Sequence, residues 1–223
     1  MLKLSDDDHA KVSAAIAEAE AKSDGEIIAI AADQSDSYHD VGLHYAVLVL
    51  FLVLAFFAAG PHQLEYWWTQ LMGWTAAPTM RELLTLLLGF ALFKFLVALF
   101  LMKWMPLRLL LTPGSTKTRR VRRRAIMLFK TGAERRTIGR TGILIYLSMA
   151  EHRAEIVGDE AITKVTTPDT WGEAMTALLT DVKADRPGDG IVAAVEIIGD
   201  VLAEHFPKSS EDTNEIPDKL IEL

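Results

Sequence analysis

VGLHYAVLVLFLVLAFFAAG, residues 41–60, decides the class of fold. Its non-apolar members are His44 and the glycines Gly42 and Gly60. At 1.5 Å per residue a helix of about 20 residues covers about 30 Å, the hydrocarbon thickness of a bilayer. A buried helix of a soluble core normally keeps a polar face, and residues 46–59 offer none. A second run, LLTLLLGFALFKFLVALFLMKWM at 83–105, is interrupted by Thr85, Gly89, Lys94 and Lys103. The two runs predict a transmembrane hairpin over 41–105 with spans 41–60 and 83–105. The first run lacks a basic start and begins at residue 41, so it is not read as a cleavable signal peptide.

Around the hairpin the charge is sorted by block. Residues 1–40 carry a net charge of -7, 41–105 of +1, 106–140 of +10 and 141–223 of -11. Arg108, Lys117, Arg119, Arg120, Arg122, Arg123 and Arg124 lie just beyond the second span, whereas the inter-span loop has only Arg81. The positive-inside rule then puts both flanking parts in the cytoplasm and the loop outside. Tyr66, Trp67, Trp68 and Trp74 on the loop, with Tyr45 and Trp104 at the inner end, suit interfacial belts. Arg119, Arg120, Arg122, Arg123 and Arg124 are read as a contact for anionic lipid head groups rather than for nucleic acid, since each basic residue near such a surface contributes about 1 kcal/mol and no nucleic-acid motif accompanies them. Of the 223 residues none is cysteine, which excludes disulfides, thiolate metal sites and cysteine nucleophiles. The length fits one domain plus a membrane element.

The flanks read as one soluble domain in two pieces. In the first, 1–40, Ser5 caps a helix with Asp8 three residues on, and Val12, Ile16 and Ala19 follow at helical spacing. Residues 26–32, EIIAIAA, have the continuous apolar pattern of a strand buried on both faces. One helix and one strand cannot stand alone. Their complement follows the basic juxtamembrane segment and helix, 106–140. In 141–206, residues 142–148 form a second buried strand, and 153–157 alternate as an edge strand. A short helix is expected over 159–164, another from Thr167 with Pro168 at its first position to about Ala184, and a last one over 191–206 after a Pro187-Gly188-Asp189-Gly190 turn. The polar, acidic tail 207–223 is expected to be disordered. The sum is a three-layer α/β/α sandwich around a small mixed sheet, interrupted by the hairpin.

Gly25-Glu26-Ile27-Ile28 with Ser35-Asp36-Ser37-Tyr38, the stretch from Thr141 to Ser148 running into Glu151–Asp159, and Gly188–Val192 to His205-Phe206-Pro207 together resemble the TPM domain family. This is the family of thylakoid phosphatase-like, photosystem II repair and receptor-modulator proteins, and the chain resembles its bacterial branch in which a membrane hairpin splits the domain. The resemblance implies Ca²⁺ binding and weak acid phosphatase activity in some members, and binding of membrane-protein partners in others. It also implies a bacterial inner-membrane location. Its acidic site maps onto Gly158-Asp159-Glu160 and Gly188-Asp189, with Asp33 and Asp36 on the loop after the first strand.

Ca²⁺ takes 6–8 oxygen ligands. Asp33, Asp36, Asp159, Glu160 and Asp189, with Asp169 as a further candidate, are strand-end or loop acids expected to meet at one sheet edge. No catalytic residue is assigned. No P-loop, Gly-x-Ser-x-Gly or His-Glu-x-x-His motif is present, and His152 and His205 stand alone. Lys94, near the middle of the second span, costs about 2.5–3.5 kcal/mol there by insertion scales, and reads either as a snorkelling side chain or as an intramembrane contact to a partner or to another copy of the chain. The function expected is that of a membrane-anchored interaction module for membrane proteins, with a weak metal-dependent acid phosphatase as the alternative.

Overall fold

The computed structural model describes residues 4–73, 77–132, 141–209 and 217–223. In chain order the elements are α1 (Asp6–Glu20), β1 (Glu26–Ala32), α2 (His39–Ala59), α3 (His62–Met72), α4 (Met80–Leu101), α5 (Met105–Leu111), α6 (Gly114–Gly132), β2 (Gly142–Ser148), β3 (Arg153–Gly158), α7 (Glu160–Val165), α8 (Gly172–Lys183), α9 (Pro187–His205) and β4 (Leu220–Glu222). They form two compact units, one of Met1–Asp36 with Gly114–Leu223 and one of Ser37–Pro113. Trp74 and residues 133–140, which close the basic segment, lie outside the described residues.

The first unit is an α/β sandwich. Its sheet has the order β3-β2-β1-β4. β1 and β2 run parallel with Glu26 opposite Gly142 and Ala32 opposite Ser148. β3 returns antiparallel to β2, with Ser148 opposite Arg153 and Ile143 opposite Gly158. Successive side chains of a strand point to opposite faces, so both faces of β1 and β2 must be covered. On one face Ile27, Ala29, Ala31, Ile143, Ile145 and Leu147 pack with Val12 and Ile16 of α1, Leu178 of α8 and Ile198 of α9. On the other, Ile28, Ile30, Leu144 and Tyr146 pack with Val121, Ala125 and Phe129 of α6. Each fully buried aliphatic side chain contributes about 1.5–3 kcal/mol. The basic run therefore sits on a helix whose opposite face is core.

The second span, expected over 83–105, is α4 and ends at Leu101, and three stretches of the α/β unit also differ from the sequence reading. The helix expected from Thr167 opens instead as a 3-10 turn, Pro168–Trp171, with Thr167 and Thr170 in a capping box, before α8 begins at Gly172. Pro187-Gly188-Asp189-Gly190 is the first turn of α9, not a separate turn. Proline suits that position because its missing N–H would be unbonded there anyway. The tail expected to be disordered contributes β4, which pairs parallel with β1 through Ala29–Leu220, Ile30–Ile221 and Ala31–Glu222. It covers an edge of β1 that would otherwise be open, and edge strands invite foreign pairing.

The second unit is a helical hairpin. α2 and α4 are long and apolar enough to cross a membrane. They pack antiparallel: a Cβ on Gly42 would lie 3.1 Å from Met102 Cβ, and Phe57 stacks on Phe90 with centroids 5.6 Å apart. Small residues make the contact. Gly42 and Ala46 of α2 and Ala91 and Ala98 of α4 are buried, which lets the two backbones come close. Much of the remaining apolar surface faces outward; Phe51, Leu52, Phe93 and Phe100 are each more than half exposed. The core helix of a soluble protein would hide these side chains.

At the base of the hairpin α5 turns back. Arg108 is 8 % exposed, donates from Nη1 to the Ser37 carbonyl and from Nη2 to the Lys103 carbonyl at 3.2 Å, and lies 3.0 Å from His39 Nδ1. The Tyr45 hydroxyl donates to the Leu111 carbonyl at 3.0 Å. Arg108, counted in the sequence as an orienting charge, is also the clasp that ties the start of α2 to the end of α4.

Candidate functional site

The carboxyl ends of β1 and β2 lie side by side and carry a buried polar network. Ala32 and Asp33 accept from the backbone N–H groups of Met149 and Ala150, so the loop after β1 is zipped to the turn after β2. Ser148, which ends β2, donates to the Glu151 carboxylate. Ser35 Oγ donates to Ser148 Oγ at 2.8 Å and lies 3.0 Å from the Tyr146 hydroxyl, while its N–H donates to the other Glu151 oxygen at 3.0 Å. Tyr146 and Ser148 are fully buried and Glu151 nearly so. Burial pushes the Tyr146 phenol up, partly countered by its hydrogen bond to Ser35. Arg120 of α6 pairs with Asp36 at 3.0 Å beside the network. The result is a hydroxyl chain that ends on a carboxylate, at the sheet end where open α/β sheets commonly bind ligands.

The acids do not share one place. Asp33 is exposed after β1, where its N–H holds the Leu223 carbonyl, and Asp36 is paired with Arg120. Asp159 lies at the far end of the sheet, because β3 runs back to the start of β2 and the Asp159 N–H donates to the Gly142 carbonyl at 2.8 Å. A seven-residue strand at about 3.3 Å per residue puts about 20 Å between the two ends. Asp159 is nearly buried and caps α7 through the Glu160 N–H, and Glu160 pairs with Lys164 at 2.9 Å. Asp189 is in the helical layer beside Arg186 and Lys11, at 3.5 and 4.0 Å, and Asp169 is exposed on the 3-10 turn. The expectation that these acids meet at one sheet edge is thus corrected. Among the described residues no three acidic or histidine side chains are grouped to hold a metal.

The arginines also divide. Arg119, Arg122 and Arg123 are exposed on α6, Arg124 is half-buried, and Arg120 is the partner of Asp36. Arg122 borders a groove of about 510 Å³ beside the edge strand β3, with Glu155, Ile156 and Val157 on one side and Trp171 and Met175 on the other. Burial raises the Glu155 carboxyl pKa, and Arg122 draws it partly back. Lys94 is exposed on α4, with its Nζ 6.0 Å from the Phe93 ring centroid. It does not point into the α2–α4 contact.

A third polar place escaped the sequence reading. Glu20 and Glu26 are buried, and with Asp218 and Lys208 they line a pocket of about 210 Å³ behind β1. Glu20 Oε1 accepts from the Ile27 N–H at 2.8 Å. Burial, together with the negative Glu26 and Asp218, pushes its pKa up to about 8. The signal was present: Glu20 follows Val12 and Ile16 at the next i+4 position, so an acid stands on the apolar stripe of α1. The sign follows from the protons bound. Between the ordinary value of 4.5 and about 8 the folded chain keeps a proton that the unfolded chain has lost, so stability falls as pH rises through that window and then levels. Glu20→Gln, which keeps the acceptor for Ile27, is expected to flatten this slope. It should raise stability at about pH 8 by about 2 kcal/mol, less than half of what 1.36 kcal/mol per unit would give, since water reaches the pocket. Urea unfolding of the full chain in detergent at both ends of the window reads the slope; a wild-type slope in the variant would contradict the assignment.

No family model and no curated protein matches the chain. Among solved structures it is similar to the NMR structure of the BA42 protein from the psychrophilic bacterium Bizionia argentinensis, with a TM-score of 0.56, 17 % identity, and 99 % of this chain and 95 % of that chain covered. At that identity the likeness concerns the fold alone.

Proposed function

We propose that the chain is a membrane-anchored, TPM-like interaction module that holds a protein partner at the membrane surface. The observation that carries this reading is the hairpin: two apolar helices with most of their surface turned outward interrupt an α/β unit whose own core is closed. In water so much contiguous apolar surface would drive association, and a bilayer covers it. Exposed Arg119 and Arg123 lie on one side of α6, four residues apart, and are assigned to anionic head groups on the cytoplasmic side.

The partner is assigned to the groove along β3. β3 is the edge strand, Ile156 and Val157 line the groove with Trp171, and an extended segment that adds to such an edge gains main-chain hydrogen bonds and side-chain pockets together. Pull-down of the full chain from detergent extracts tests this, with Trp171→Ala and Lys94→Leu side by side. The reading expects Trp171→Ala to lose at least about tenfold of the partner recovered, the loss from one aromatic anchor worth about 1.4 kcal/mol or more. Loss in Lys94→Leu instead would move the contact into the membrane. Full recovery in both, with melting unchanged, would contradict an interaction module of either kind.

The polar network favours a second reading, a weak phosphomonoesterase. Ser35 is half-buried and linked through Ser148 to Glu151, and Arg120 pairs with Asp36, the next residue. Ser35→Ala and Glu151→Gln are then expected to abolish hydrolysis of an aryl phosphate; wild-type rates in both would remove this reading.

A further inference from the structure

Within the hairpin unit α3 and α4 enclose a groove of about 570 Å³. One wall is a face of α4. Glu82, Thr85, Gly89 and Phe93 recur three and four residues apart and so stand one above another on the helix. From Glu82 to Phe93 the stripe runs about 17 Å at 1.5 Å per residue. The facing wall is Trp68, Leu71 and Met72 of α3. Gly89 leaves the middle open: a Cβ there would meet nothing within 4 Å.

The charged residues of the lining, Arg81 and Glu82, stand at one end of the groove. Arg81 stands at its mouth, and among the described residues its guanidinium has no hydrogen bond or ion pair. Trp68, on the facing wall, has a buried indole nitrogen with no acceptor. Glu82, the acid at the mouth, is occupied: its carboxylate accepts from the Thr79 N–H and hydroxyl at 2.8 and 2.7 Å. Below Thr85 the lining is apolar, with Leu86, Phe90 and Phe93.

We propose that this groove seats one anionic phospholipid of the leaflet facing α3, its phosphate on Arg81 and one acyl chain laid over Gly89. The proposal rests on the membrane-spanning reading of the hairpin. The match is one of shape and charge. An unpaired guanidinium suits a phosphate through two parallel hydrogen bonds. A trough that starts at the head of the span and descends about 17 Å into its apolar part has the dimensions of an acyl chain rather than of a rigid ligand. A facing helix of a second copy would fit a small-residue seam, but here the open position is a single glycine between large side chains.

The experiment uses the full-length protein in phosphatidylcholine vesicles doped with phosphatidylglycerol that carries a photoreactive acyl chain. Adducts are mapped by mass spectrometry, with alkaline carbonate extraction run in parallel. Adducts are expected on residues 68–72 and 85–93. Gly89→Leu, for which there is room, should remove them while leaving the protein in the membrane. Arg81→Gln should lower the preference for phosphatidylglycerol over a phosphatidylcholine probe about fivefold, the equivalent of about 1 kcal/mol per basic residue at an anionic surface. A protein that washes off in carbonate overturns the membrane reading and this site with it. A protein that stays inserted but labels evenly around α2 and α4, or equally in Gly89→Leu, overturns the site alone. Chain-to-chain adducts at the Gly89 stripe in place of lipid adducts would make the occupant a second copy and overturn the lipid.

Discussion

Arg108→Leu is expected to cost the hairpin unit about 3 kcal/mol. In the wild-type chain one guanidinium serves the Ser37 and Lys103 carbonyls, with His39 beside it, at 8 % exposure. Leucine relieves the desolvation of a buried charge, which favours the variant. Against that, two carbonyls lose a charged donor, each such bond contributing about 1.5–3 kcal/mol, and the loss wins. Arg108→Lys should fall between, because one ammonium does not reach both carbonyls as a planar fork does. Thermal unfolding in detergent micelles, followed by the helical signal, measures the order wild type, lysine, leucine. Equal midpoints for all three would mean that the clasp carries no weight.

Gly190→Ala is expected to cost the α/β unit about 2–3 kcal/mol, although alanine is the better helix former by about 1 kcal/mol. A Cβ at 190 would lie 2.7 Å from the Leu178 carbonyl oxygen and 3.2 Å from Asp181 Cβ. Backbone must move to admit it, and overpacking of this kind costs about 1–3 kcal/mol, occasionally more. α8 and α9 would be pushed apart at the point where Leu178 and Ile191 enter the core. Gly172→Ala is the control, since a Cβ there meets nothing within 4 Å and its φ is -60°. It should be neutral or stabilising by up to about 1 kcal/mol. Denaturant midpoints moving in the same direction for both variants would contradict the packing argument.

What was legible in the sequence followed from pattern length. The apolar runs at 26–32 and 142–148 had the length of strands and no helical polar face, and both are strands buried on both faces. The capping signal at Ser5 marks a helix start as read. What failed depended on direction and distance. The turn of four residues between β2 and β3 forces an antiparallel return, so Asp159 had to leave the end of the sheet where Ser148 lies. With β1 parallel to β2, Asp33 and Asp36 fall at the opposite end from it, and no local pattern states that pairing. β4 has three residues, too few for a periodicity, and is held by the edge of β1 rather than by its own sequence. The glycines at 188 and 190 looked like turn formers because composition cannot distinguish a residue that must bend from one that must be small. Ser35, Ser148 and Glu151 were unremarkable as letters and became a network only through register.

The central claim is that α2 and α4 span a bilayer with both flanks on the basic side. The chain contains no cysteine, so single cysteines can be placed without background. Gln70→Cys, at an exposed position of α3, and Ser209→Cys, exposed after α9, are to be labelled in intact cells with a membrane-impermeant maleimide, then again after permeabilisation. The account predicts that Gln70→Cys labels in intact cells and Ser209→Cys only after permeabilisation. Equal labelling of both positions before permeabilisation, or of neither until after it, would contradict a spanning hairpin in this orientation.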